Sequence, residues 1–175
     1  MFRHIKTTAL SALALVVCSV ASTPSALAYD RKGYHGSECN AYYASTTERF
    51  DHRIDGLYNN SGTSGGWVMC PITRDNSFDN AGPGSTTWVR VYDSSATTQS
   101  LSCYLHSLSQ SGGIIRSDSE SFSGNNSYRW MSLNLPTTAG TSQSWAGYGM
   151  YCWLPPRSRI VYYNVYERTP TDANN

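Results

Sequence analysis

The stretch W-A-G-Y-G-M-Y-C-W-L, Trp145 to Leu154, does most to limit what this chain can fold into. Its side chains alternate with period 2. Tyr148, Met150, Cys152 and Leu154 fall on one face, and Trp145, Gly147, Gly149, Tyr151 and Trp153 on the other, as a strand with one buried side requires. The earlier segment L-S-C-Y-L-H puts Leu101, Cys103 and Leu105 on the matching face. Cys103 and Cys152 are therefore placed to meet across a core or between neighbouring strands.

The first 28 residues read as a signal peptide. Arg3, His4 and Lys6 supply a basic start, Thr7 to Ala21 is mostly apolar, Pro24 breaks a helix, and Ala26-Leu27-Ala28 is a small-x-small cleavage site. The apolar run falls short of the roughly 20 residues of a bilayer span, and no later segment is apolar for that long. The expected location is secreted or periplasmic, with no membrane span. Of 13 basic residues, Arg3 and Lys6 leave with the leader, so 11 face 12 acidic ones and the mature charge is near −1. That balance argues against nucleic acid, which asks for a basic patch.

Cys39, Cys70, Cys103 and Cys152 remain in the mature chain. An even number in an exported protein indicates disulfides, and three connectivities are open. Shared inward parity favours Cys103 with Cys152, which leaves Cys39 with Cys70. Zinc would ask for close C-x-x-C pairs, and the chain has none.

Residues 29–53 show no clean period and read as an irregular segment tied down by Cys39, with a helical turn or two between Ala41 and Phe50. Residues 54–175 read as the β domain. Ile54–Asn59 and Trp67–Ile72 are short strands, and Pro71 makes the second an edge or ends it. Thr86–Asp93 turns Val89 and Val91 inward, and Gln99–Ser107 follows. Ile114–Ser123 is a polar edge strand, and Gly124-Asn125-Asn126 reads as a hairpin turn into Tyr128–Leu135, with Met131, Leu133 and Leu135 inward. Ser158–Arg168 alternates Val161, Tyr163 and Val165 against Ile160, Tyr162 and Tyr166. About eight short strands with almost no helix indicate an all-β fold, a single antiparallel β-sandwich of jelly-roll type.

Chemistry-bearing patterns are weak. Gly62-Thr63-Ser64-Gly65-Gly66 fits G-x-S-x-G, but a strand follows where a nucleophile elbow needs a helix, so it reads as a turn despite His35, His52 and Asp55 nearby in sequence. The acids are scattered, with no pair set for glycoside hydrolysis. Asp75-Asn76-Ser77-Phe78-Asp79-Asn80 puts oxygens at alternate positions as a calcium loop does, but lacks the EF-hand glycine and final acid. Asp75 and Asp79 are thus weak metal candidates, and the expectation is no cofactor. The outward aromatics are the most informative feature. Trp88, Arg90, Tyr92, Tyr104, His106, Trp130, Tyr151 and Trp153 take outer parity and form the candidate ligand-binding set. Gly147 and Gly149 beside Tyr151 are expected to let a ligand approach the backbone.

The order Gly56-Leu57-Tyr58-Asn59, Cys70-Pro71-Ile72-x-Arg74-Asp75, a V-x-V-x-D strand ending at Asp93, Cys103-x-Leu105, Tyr151-Cys152-x-Leu154-Pro155 and a last strand closing on Glu167 resembles a group of small exported bacterial proteins. The resemblance covers Gly56 to Glu167. It implies a disulfide-bonded β-sandwich, carries no known activity and assigns no catalytic residue. Arg74 and Asp75, its polar signature, are expected to organise a turn.

The sequence thus points to an exported, non-catalytic β-sandwich whose outward aromatics contact a glycan or cell-surface polymer. The alternative is a secreted interaction or structural protein using the same rings against a protein partner. A glycan-active enzyme ranks third.

Overall fold

A computed structural model describes residues 30–73, 81–82, 85–94, 99–109, 111–124, 126–135, 138–139 and 147–167. The leader, Arg74, Asp75, Asp79 and Trp145 lie outside the described residues, and so do the expectations placed on them. The strands in chain order are β1 (Asp30–His35), β2 (Asn40–Ala41), β3 (Phe50–Arg53), β4 (Gly56–Asn59), β5 (Gly66–Cys70), β6 (Ala81–Gly82), β7 (Ser85–Asp93), β8 (Leu101–Leu108), β9 (Ile114–Phe122), β10 (Ser127–Leu135), β11 (Thr138–Ala139), β12 (Gly147–Leu154) and β13 (Arg159–Glu167). All pairings are antiparallel. One sheet runs β10-β7-β13-β4-β3, with β1 also against β13; a second runs β2-β5-β12-β8-β9; β6 and β11 form a small ribbon.

Period-2 alternation decides which side of each strand is dry. Val89, Val91, Met131, Leu133, Tyr163 and Val165 of the first sheet are fully buried, as are Val68, Leu101, Leu105, Met150 and Leu154 of the second. They meet in one core, so the chain is an all-β sandwich. Both cysteine pairs form, Cys39–Cys70 and Cys103–Cys152, with Cα atoms 4.0 and 4.1 Å apart. Cys103 stands directly opposite Cys152 in the β8–β12 register. The bridge therefore joins neighbouring strands of one sheet rather than crossing the core.

Four expectations change. Residues 30–53 are not irregular: β1 pairs along β13 from Asp30↔Glu167 to His35↔Tyr162, so the sandwich begins at Asp30 rather than Ile54. Its D-R-K-G-Y-H sequence has no apolar alternation because backbone bonds hold it, with Tyr34 stacked on Tyr163 at 4.9 Å. The helical turn expected between Ala41 and Phe50 is present as a 3-10 turn at Ala44–Arg49, and of the two outcomes expected at Pro71 the strand ends at Cys70, with β2 beside β5 taking the sheet edge. Secondly, β9 and β10, the strands before and after the expected hairpin turn, do not pair with each other. They belong to different sheets, and β9 instead pairs with β8, where the Ser109 N–H donates to the Gly113 carbonyl. Thirdly, a bulge between Ile160 and Tyr162 shifts the parity of β13, burying Ile160 and leaving Val161 half-buried. The bulge leaves no room beside Gly56 (φ +128°), where a Cβ would lie 1.9 Å from the Ile160 carbonyl oxygen. Fourthly, the strands outnumber the expected eight because several, such as β2 and β3, are too short to show a period.

The outermost strands β9 and β10 meet side chain to backbone. Glu120 accepts the Ser132 N–H at 2.5 Å and Asp118 accepts the Asn134 N–H at 2.6 Å, and Arg129 lies 3.5 Å from Glu120. Glu120→Ala is expected to lower the unfolding free energy by about 1 kcal/mol, since the bond is charge-assisted but partly solvated. Urea unfolding reads this, and an unchanged midpoint would mean that water replaces the carboxylate at no cost.

Candidate functional site

The outer face of the second sheet carries a continuous run of rings. Tyr151 of β12 stands opposite Tyr104 of β8 on one side and Met69 of β5 on the other; Trp153 stands opposite Trp67 and Ser102; Gly149 stands opposite His106. This register puts Trp67, Tyr104, His106, Tyr151 and Trp153 on one surface, because their strand neighbours Val68, Cys103, Leu105 and Cys152 fill the core. The rings touch in sequence. Centroid separations are 5.6 Å for Trp153–Trp67, 5.6 Å for Trp67–Tyr104, 6.2 Å for Tyr104–His106, 5.4 Å for His106–Tyr151 and 5.5 Å for Tyr151–Tyr42. Tyr43 packs edge-on against Tyr42 at 4.7 Å.

The rings of this run other than Trp153 border a groove of about 510 Å³, completed by Leu108, Gly112 and Ile114. Gly149 does not open the backbone to a ligand. A Cβ there would lie 2.9 Å from the Tyr151 ring, so the missing side chain makes room for Tyr151 itself, whereas Gly147 faces open space.

His106 is the histidine of the groove. Desolvation by burial holds its imidazole below the ordinary value of 6.5, and its Nδ1 is buried without a hydrogen-bond partner. The ring is accordingly neutral at pH 7. A depressed histidine binds protons more readily when unfolded, so its stabilising contribution is complete above about pH 6.5 and is lost as pH falls through the folded value.

The eight candidate residues do not form one site. Tyr104, His106, Tyr151 and Trp153 lie on this surface, while Trp88, Arg90, Tyr92 and Trp130 lie on the outer face of the first sheet, on the far side of the core. There Arg90 lies over Tyr128 and Trp130, and Tyr92 packs on Tyr128 at 4.7 Å. Trp67, Tyr42 and Tyr43 belong to the groove although they stood outside the candidate set. Trp67 carried a usable signal, its opposite parity to Val68 and Cys70; Tyr42 and Tyr43, just past the two-residue β2, carried none.

The residues near the G-x-S-x-G turn have structural partners. The His35 ring accepts from the Ser37 N–H, His52 Nδ1 lies 2.7 Å from the Ser37 carbonyl, and Asp55 pairs with Arg159. Among the described residues no cluster of His, Cys, Asp and Glu could hold a metal ion, and no helix is long and apolar enough to cross a membrane.

No family model matches the chain, and no curated protein matches it. Among solved structures it is similar to latent PorU from Porphyromonas gingivalis (12% identity, 79% of this chain, TM-score 0.42), of whose length it spans 13%. It is also similar to the family 11 carbohydrate-binding module of a cellulosomal cellulase of Clostridium thermocellum (6% identity, 78% of this chain and 84% of that one, TM-score 0.34). A third likeness is to the cleaved adhesin domain of Lys-gingipain from Porphyromonas gingivalis (14%, 79% and 95%, TM-score 0.35). At these scores none of the three carries a ligand or an activity over to this chain.

Proposed function

We propose that the chain is an exported, non-catalytic binding module that holds a glycan strand, or a similar cell-surface polymer, in the groove on the second sheet. The observation that carries this reading is the unbroken run of rings from Trp67 to Tyr43 along that groove. Sugar rings present apolar C–H faces that stack on flat aromatics, while tyrosine hydroxyls and tryptophan N–H groups at the ring edges meet sugar hydroxyls. The signal-peptide pattern of the first 28 residues and the two disulfides support export.

The test is retention of the oxidised mature protein on insoluble cellulose, chitin and peptidoglycan, beside Tyr104→Ala and Tyr42→Ala variants with unchanged circular dichroism. Retention of the parent, weakened about tenfold in each variant, is the expected result. No retention on any polymer sinks the reading. The exposed Met69 and Ile114 at the groove margin favour the second reading, a protein partner, and a partner sought in the native secretome would then be the next step.

Because His106 is neutral, retention is expected to be level from pH 7 to pH 9 and to fall in acid as a charge enters the apolar groove. His106→Gln flattens that profile. An acid-side fall of the same size in this variant would assign it to another group.

A further inference from the structure

The first sheet carries a second, differently built hollow on its outer face. Asn164 occupies an outward position of β13 between Tyr162 and Tyr166, yet it is only 2% exposed, and its Oδ1 is buried with no hydrogen-bond partner. Buried amide oxygens are almost always satisfied, so one without a partner calls for an explanation. The Asn164 side chain lines a hollow of about 420 Å³ whose other walls are Trp88, Trp130, Tyr166 and Arg31.

Two cations flank it. Arg31 lies over the Tyr166 ring at 5.3 Å, and Arg90 lies over Tyr128 and Trp130 at 5.2 and 5.9 Å. Neither is ion-paired among the described residues, whereas on the neighbouring rows Asp51 and Asp55 are taken by Arg53 and Arg159. Although the mature chain is near neutrality, this face therefore presents uncompensated positive charge.

Register fixes the layout. Arg31 stands opposite Tyr166 on one side of β13, and Arg90 stands opposite Tyr162 on the other. Four residues along the strand and two strand spacings across it put the two positions about 16 Å apart, with Asn164 midway. A single small anion cannot span that distance, whereas a polymer segment can.

We infer that this face binds a segment of an acidic polysaccharide, its carboxylates on Arg31 and Arg90, a sugar ring against Trp88 and Trp130, and a hydroxyl donated to Asn164 Oδ1 once the amide turns that oxygen toward the hollow. A bound hydroxyl supplies the donor that the amide oxygen lacks, and the guanidinium forks match carboxylates. The groove on the opposite face takes no part, so this inference stands or falls separately from the function proposed above.

The test is calorimetric titration of the oxidised protein with soluble polygalacturonate, alginate and hyaluronate at low salt, with methyl-esterified polygalacturonate as the uncharged counterpart. Binding of at least one acidic polymer is expected. Arg31→Gln, Arg90→Gln and Asn164→Ala should each weaken it about tenfold, and esterification should weaken polygalacturonate binding by at least as much. Arg116→Gln on β9 removes the same charge elsewhere and should leave affinity within about twofold. Failure to bind any of the three acids overturns the inference. So does equal binding of the ester, or an equal loss in Arg116→Gln, which would reduce the effect to net charge.

Discussion

Replacing Cys103 and Cys152 together by alanine is expected to lower the unfolding free energy by about 4 kcal/mol and the melting temperature by about 10–15 °C. The size comes from the unfolded chain, where the bridge closes a loop between residues 49 apart in sequence. In the folded sheet the two cysteines already face each other on paired strands, so the native geometry changes little on its removal. The same change at Cys39 and Cys70, 31 residues apart, should cost slightly less. Thermal and urea unfolding of the two double variants measure both effects. A loss below about 1 kcal/mol for the first pair would show that backbone pairing alone restrains that loop.

Asn59→Ala is expected to cost about 3 kcal/mol. Asn59 is fully buried at the end of β4, and its side-chain amide donates to the carbonyls of Ser64, Leu154 and Pro155 at 3.0, 2.9 and 3.0 Å. Its Oδ1 accepts the Ser61 N–H, and its own backbone bonds Ser158 and Arg157. One side chain thus joins the turn after β4 to the Pro155–Ser158 connection between β12 and β13. Alanine leaves the buried Leu154 and Pro155 carbonyls without this donor. Asn59→Asp should be at least as damaging at neutral pH, because it aims a carboxylate at three carbonyl oxygens. Equal midpoints for parent and alanine variant in urea would contradict this account.

Asn59 also shows what a motif can and cannot say. The Gly56-Leu57-Tyr58-Asn59 order was visible in the sequence, but the partners of Asn59 are up to 96 residues away, and no local pattern names them. In-or-out parity was legible in β8 and β10, in β7 beyond Thr87 and in β12 beyond Met150, where burial alternates along the strand. Which sheet a strand joins was not, because parity is a property of one strand and sheet membership of two. For that reason Trp88 and Tyr151, alike in parity, stand on opposite sides of the protein. The bulge at Val161 was equally hidden, as it answers to Gly56 and β4 rather than to the sequence of β13.

The carboxylates of Asp118 and Glu120 have a further consequence. Strand β10 is the last of its sheet, and its outward N–H groups would otherwise be free to template another chain. With Ser132 and Asn134 already donating to acids of β9, that edge offers an arriving strand occupied donors and two negative charges. Strand addition at Ser132 and Asn134 is thereby disfavoured, which removes that stretch of the edge as a seam for fibril growth.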